Sequence, residues 1–327
     1  MELVTYDEKY ESLWDGFIKE ESVNGEFMHT RNFLNYHHKG KFTDCSFLIY
    51  DGANLAAVIP ACERLEDGEK IYFSHGGASF GGFVIGRKYY NAKHAMDMVK
   101  ALEDRVRESG FTEVHLKMTP DLFCREKSDL LQFVLMHSGY AVYADISTFI
   151  DFADYKENIE DNFDGRQKRN YKAALKFGPE FREITDDTGI ISFYRILVKN
   201  HLKFEAVPAH TLDELYEICK RLGDSIKFFG VFLGGTLCAC SMVLEYKYAN
   251  ILHTQYLAMD YDYALNRPSA FLYYNLIDWA RKCGFSKLSW GVSSNSRGAF
   301  LNDTLLSFKE SVGSRYSLNR GFTKKLR

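Results

Sequence analysis

Eleven consecutive residues, Arg166 to Lys176, hold Arg166, Lys168, Arg169, Lys172 and Lys176 and contain no acid. On a helix, Arg169, Lys172 and Lys176 form one stripe with Lys168 on its flank, while Tyr171, Ala174 and Leu175 form the packing face. Such a stripe suits phosphate oxygens, whether of tRNA, a nucleotide-linked acceptor or coenzyme A, and it equally suits solvent. A second candidate is Asn266-Arg267-Pro268-Ser269. Proline fits a first helical position, where free N–H groups point outward, so Arg267 beside that terminus would make an anion site. The plainer alternative is a capped helix in which Ser269 satisfies backbone donors. A third is the strand around His253 and Gln255, which share one face, with Leu252, Thr254 and Tyr256 on the other. Histidine titrates near neutrality and can move a proton, or it can be a hydrogen-bonded core residue. Glu245, on the preceding strand, is a rival base acting through a water.

The first half carries Ser74-His75-Gly76-Gly77-Ala78-Ser79-Phe80-Gly81-Gly82. This reads as a mobile connection or as a backbone that approaches a ligand closely. Tyr36, His37 and His38 could line the same cleft, but adjacent histidines diverge and make no metal motif. No Ser/His/Asp or Cys/His arrangement argues for a nucleophilic side chain.

The elements that must position these residues repeat. Residues 46–59 read as a strand, a tight turn at Asp51-Gly52 and a second strand; residues 228–243 repeat this around Gly234-Gly235. Each hairpin leads to a third strand, near Lys70–Ser74 and Ala249–Ala258. A helix follows in each half. Ala95, Met98, Val99, Leu102 and Val106 line one face of the first, and Phe271, Tyr274, Ile277 and Ala280 one face of the second. Both helices stop at a Gly-Phe pair, Gly110-Phe111 and Gly284-Phe285, before another short strand. The matching order favours an internal duplication.

Composition sets the outer bounds. A chain of 327 residues, 46% hydrophobic and 26% charged, suits two globular domains. Its net charge of −3 excludes a global basic field, so DNA is not an expected partner and any polyanion must meet a local patch. The seven cysteines lack a CxxC pair, and Cys238 and Cys240 are strand neighbours on one face. They read as reduced, buried thiols of a cytosolic protein, with no zinc. Met1 to Asp15 is acidic and lacks an apolar signal-peptide core, and no run approaches the roughly 18–20 apolar residues of a membrane span. A soluble, cytoplasmic protein is expected.

Three stretches go beyond topology: Lys168-Arg169-Asn170-Tyr171-Lys172-Ala173-Ala174-Leu175-Lys176-Phe177-Gly178, then Asn266-Arg267-Pro268-Ser269, then Leu305-Leu306-Ser307-Phe308-Lys309-Glu310-Ser311-Val312-Gly313. In order and spacing they resemble the FemAB-like, tandem GNAT (N-acetyltransferase-like) proteins related to Fem-type aminoacyl-tRNA transferases, over nearly the whole chain. The resemblance implies an α+β protein of two GNAT-like domains, each a mostly antiparallel mixed sheet flanked by helices. Residues 1–151 would be the substrate platform and 152–327 the catalytic, donor-binding domain. The implied reaction is transfer of an acyl group from acyl-CoA to a small-molecule or nucleotide-linked amine, by direct attack in a ternary complex and without a metal. In that mechanism the third strand of the second copy flanks the acyl carbonyl and its N–H groups stabilise the oxyanion. His253 or Glu245 would take the proton, and Lys309 would place positive charge near the reaction centre. Arg267 and Ser269, with Arg169 and Lys172, would hold donor phosphates. A Fem-type reading substitutes aminoacyl-tRNA as donor and a cell-wall precursor as acceptor, and a third reading is a non-catalytic binding protein. Two departures stand out. Met259 to Ser269 contains no glycine where GNAT enzymes carry R/Q-x-x-G-x-G/A, and there is no heptad insertion for a coiled-coil arm.

Overall fold

Each half of the chain wraps its strands around one amphipathic helix that ends at the same glycine signal. The computed structural model describes residues 1–203 and 205–326. The first half contains β1 (Glu2–Thr5), α1 (Glu11–Glu20), α2 (Arg31–Leu34), β2 (Thr43–Asp44), β3 (Phe47–Asp51), β4 (Asn54–Ile59), β5 (Ala61–Glu66), β6 (Glu69–Ser74), β7 (Val84–Ile85), α3 (Ala92–Glu108), β8 (Glu113–Lys117), α4 (Asp129–His137) and β9 (Ala141–Asp151). The second contains α5 (Gly165–Leu175), β10 (Glu180–Ile184), α6 (Asp187–Leu202), α7 (Leu212–Leu222), β11 (Ile226–Leu233), β12 (Thr236–Tyr246), β13 (Ile251–Met259), α8 (Pro268–Lys282), β14 (Lys287–Val292), β15 (Ser294–Asn295), β16 (Phe300–Leu301), α9 (Asp303–Ser311) and β17 (Arg315–Lys325).

Contacts divide the chain into a unit of 1–146, 295–300 and 317 onward, and a unit of 147–294 and 301–316. This differs from a single cut at 151, because β9 serves both units and the C-terminal strand returns to the first. β17 pairs antiparallel with β8, Gly321 opposite Lys117 and Phe322 opposite Leu116. Hydrophobic pattern alone does not announce such a return over two hundred residues.

Helices α3 and α8 are terminated identically. Gly110 and Gly284 both adopt φ +79, and Phe111 N–H and Phe285 N–H reach back five residues to Val106 and Ala280 carbonyls. That left-handed turn with its long return bond is what a helix-stopping glycine provides. At its start α3 is capped by Asn91, whose side chain accepts from His94 N–H, and Ala95, Met98, Val99, Leu102 and Val106 are buried against the first unit's sheet. In the second unit α8 buries Ala270, Leu272, Leu276, Ile277 and Ala280. Phe271 and Tyr274 meet α5 instead, Tyr171 stacking at 4.2 Å from Tyr274. On α5 itself Leu175 is 47% exposed, so the packing face is carried by Gln167, Tyr171 and Ala174.

The two hairpins diverge at one residue. In the second unit β12 runs unbroken for eleven residues and pairs with β11 on one side and β13 on the other. In the first, Pro60 splits the equivalent strand: β4 pairs with β3, whereas β5, a strand not anticipated, pairs with β6. Proline has no N–H to give a ladder, so the strand changes sheet there. Beyond that break the order agrees, with β6 parallel to β8 and β13 parallel to β14. The fold is α+β, two units with mainly antiparallel sheets.

Candidate active site

Parallel pairing of β13 with β14 lasts three residues, Ile251 with Lys287, Leu252 with Leu288, and His253 with Ser289. No bridge joins the strands beyond it among the described residues, so they part and leave a wedge that opens at His253 and Ser289. The opening is held by side chains. Thr254 Oγ1 donates to the Ser289 carbonyl over 3.1 Å, and His253 Nδ1 and Ser289 Oγ lie 3.0 Å apart. Gly291 N–H donates to the same Ser289 Oγ over 3.3 Å. Gly291 has φ +73, and a Cβ there would stand 3.2 Å from His253 Cε1, so glycine suits both the backbone and the close approach of the ring.

Lys309 enters this wedge from α9. Its ammonium nitrogen donates to the carbonyls of Gly291 and Val292, over 2.8 and 2.7 Å, and the residue is only 2% exposed. Among the described residues no carboxylate pairs with it. Burial without a counter-ion penalises the charged form and brings its pKa down to about 7. Burial first, and then the Lys309 charge, push His253 down to about 3. His253 is therefore a neutral, positioned ring at physiological pH, and the group that titrates near neutrality is the lysine. Facing Gly291 and Val292 across the β14–β9 register are Thr148 and Ser147. Among the described residues their buried hydroxyls, and that of Ser293, have no hydrogen-bond partner.

Glu245 does not share this place. In the register Leu244 opposes His253 and Glu245 opposes Leu252, and Leu252 belongs to the core beneath α8. Side chains of successive strand residues alternate, so Glu245 points to the α8 side and His253 to the other. Burial raises the Glu245 carboxyl, while Lys247 and Lys227 lower it.

The start of α8 explains the absent glycines. Tyr261 to Asn266 fold as a 3-10 turn, pinned by Lys199 Nζ, which lies 2.6 Å from both Asp260 Oδ1 and Asp262 Oδ2. One residue then takes the left-handed conformation a glycine would ordinarily supply, and it is Arg267, with φ +57. Pro268 occupies the first turn and no side chain caps the helix, so its N-terminal donors stay available beside an exposed guanidinium. Ser269 is engaged elsewhere, its hydroxyl 3.0 Å from Met259 Sδ. On α5, Lys168 and Lys172 approach Asp161 and Glu160 at 3.4 and 3.8 Å, whereas Arg166, Arg169 and Lys176 have no acidic partner among the described residues.

The structure therefore gathers His253 and Lys309, keeps Arg267 and Ser269 together at the head of α8, and leaves Arg169 and Lys172 on α5. Sequence reasoning missed Ser289 and Gly291. A signal for Ser289 was present: it stands five residues after Gly284, as His115 stands five after Gly110, and both lie at the last position of their parallel pairing. Among the described residues no group of three or more His, Cys, Asp or Glu is placed to hold a metal.

No protein-family model and no curated protein sequence matches the chain. Solved structures do. The crystal structure of FemX superposes with TM-score 0.71 at 11% identity, covering 99% of this chain and 97% of that one. The C-terminal domain of a putative lysylphosphatidylglycerol synthetase from Agrobacterium fabrum gives 0.62 at 11% identity, over 97% and 92% of the two chains. A tandem GNAT protein from the clavulanic acid biosynthesis pathway gives 0.58 at 9% identity, over 100% and 98%. The chain has the FemAB-like, tandem GNAT fold.

Proposed function

We propose that the chain is an N-acyltransferase whose second unit binds an acyl-CoA and passes its acyl group directly to an amine. The observation that carries this reading is the wedge between β13 and β14, which opens at His253 with an unpaired, buried lysine inside it. An acyl carbonyl laid along β13 would reach the backbone at the mouth of the wedge, with the donor's phosphates at the head of α8 beside Arg267. Lys309 spends two N–H groups on the Gly291 and Val292 carbonyls. In its neutral form its lone pair is left to accept the proton of the attacking ammonium. The lysine so charged then stands beside the oxyanion of the tetrahedral intermediate and stabilises it; collapse of the intermediate breaks the C–S bond, the CoA thiolate leaves with the second proton of the former ammonium, and the lysine releases its own proton to solvent. His253 and Ser289 hold the strand ends in place. The sum of these effects is positioning, electrostatics and one proton acceptor, with no covalent enzyme intermediate.

Calorimetric titration with acetyl-CoA, free CoA and a longer acyl-CoA tests the donor. Micromolar binding that weakens in Arg267→Ala is expected; absence of binding by every CoA species would overturn the acyl-CoA reading. One observation favours a second donor, aminoacyl-tRNA: among the described residues the exposed Arg166 and Arg169 of α5, and Lys176 just past its end, have no acidic partner. For that donor, affinity would fall steeply with salt and Arg169→Ala would flatten the slope.

A further inference from the structure

The first unit carries a cationic cluster that the proposed chemistry does not use. It lies on the sheet face turned away from α3. Tyr72, Val114, Leu116 and Phe322 fill the core on the α3 side, so the alternating residues Phe73, His115, Lys117 and Gly321 face the other way. Arg64 follows from β5, where Cys62 opposes Phe73. Phe73 is shared between two cations: the Arg64 guanidinium lies 3.7 Å from its ring centre and Lys117 Nζ 5.2 Å.

Tyr143 is set over this floor by glycine. A Cβ on Gly321 would overlap the Tyr143 ring, so only glycine lets the ring lie there. The Tyr143 hydroxyl is then 2.5 Å from His115 Nε2. A third cation comes from the turn between β15 and β16. Ser296 and Arg297 both have positive φ, 52 and 60, an uncommon conformation for two successive residues that are not glycine. Asp145 Oδ1 holds the turn by accepting from Gly298 N–H, and the Arg297 guanidinium lies 5.8 Å from the Tyr143 ring. Two carboxylates stand among the three cations: Arg64 approaches Glu66 at 3.1 Å, and Asp145 lies near enough to Lys117 to act on its charge, while Lys117 Nζ donates to the Ala78 carbonyl. Burial and then the neighbouring Arg64 lower Lys117 to about 8, while burial and then Arg297 hold His115 neutral, near 3. Three cations against these two carboxylates leave a net positive charge over the aromatic floor, which a further anion would offset.

We propose that Arg64, Lys117 and Arg297, with the Tyr143 hydroxyl, form a binding subsite for a phosphoryl group on the first unit. Donors arriving from an ammonium, two guanidinium groups and a hydroxyl suit a tetrahedral group with several oxygens better than a planar carboxylate. The subsite stands on the first unit alone and needs no acyl donor, so its test is independent of the reaction assigned to the second.

The test is calorimetric titration of the full chain with inorganic pyrophosphate at low salt, beside succinate as the carboxylate probe. Saturable pyrophosphate binding, stronger than that of succinate, is expected. Losing one charged donor should weaken it about 10- to 100-fold in Arg64→Gln and in Arg297→Asn. Asparagine tolerates the left-handed backbone, so the exposed turn keeps its shape and a failure to fold does not obscure the result. Acetyl-CoA binding, measured in the same variants, should not change. No saturable pyrophosphate binding, succinate binding as tightly, or undiminished affinity in both variants would each overturn the subsite.

Discussion

The two parallel strand pairs begin alike and end differently. In the first unit Ile71, Tyr72 and Phe73 pair with Glu113, Val114 and His115; in the second Ile251, Leu252 and His253 pair with Lys287, Leu288 and Ser289. After three residues both pairs part. In the first unit the gap is taken by the chain itself: Ser74 Oγ accepts from Lys117 N–H over 2.6 Å, Gly81 N–H donates to the Lys117 carbonyl over 2.8 Å, and Gly81 forms a bridge with Met118. The glycine-rich stretch 74–82 is thus a plug rather than a mobile connection. Gly82 has φ +73, and a Cβ on it would overlap Met118 Sδ. In the second unit no backbone segment takes that place among the described residues, and the wedge is lined by Thr254, Ser289, His253 and Lys309. A duplicated fold has kept the same opening twice, closed one with backbone and left the other to side chains that can do chemistry.

The strongest way to break this comparison is to replace the lysine of the open wedge. Lys309→Met should cost about 10²–10⁴ in turnover, the range for losing a positioned proton acceptor. It should not lower the thermal midpoint, because it removes a buried, unpaired charge. The pH behaviour gives a second readout. Folding depresses the Lys309 pKa to about 7, so between there and the ordinary lysine range the unfolded chain binds more protons. Wild-type stability should therefore rise with pH from about 7 upward, and the methionine variant should flatten that rise. Turnover should increase through the same pH as the neutral amine forms. A lower melting point with unaltered turnover would make Lys309 structural.

Next in size is the plug. Gly82→Ala should destabilise the protein by about 1–3 kcal/mol through overpacking and an unfavourable φ, read by denaturant unfolding, while donor binding by the second unit is unchanged. Ser289→Ala removes the hydroxyl that joins His253 to Gly291 N–H and should lower turnover several-fold, about 1 kcal/mol, with a normal melting curve. The smallest effect is expected at Glu245. It lies on the opposite sheet face, so Glu245→Gln should leave turnover and its pH profile as they are; a large loss would place the proton acceptor on the wrong side in this account.

Much of the fold could be read from residue patterns. The Gly-Phe exits worked because a helix that needs a left-handed terminator and a buried following residue advertises both locally, and Gly110 and Gly284 do so in the same words. Pro60 shows the opposite case: its effect was a change of sheet partner, and partners are set by tertiary contacts. The glycines of 74–82 gave permission for a close approach without saying to what. His253 and Lys309 were both legible as chemical residues, one from its type and strand, the other only through a resemblance. Which of them titrates near neutrality was not, since that depends on burial and on the charge of one beside the other. Leu175 was read as packing from its period and is exposed, because α5 presents only Tyr171 and its neighbours to α8.

Hydrogen–deuterium exchange with and without acetyl-CoA measures the central claim most directly, since it reports on both wedges in one protein. The account predicts slowed exchange in 253–259, in 287–292 and at the head of α8 from Ser269, with 71–82 and 113–117 unaltered. Protection of 74–82 and 113–117 instead, or of neither region at saturating donor, would contradict it.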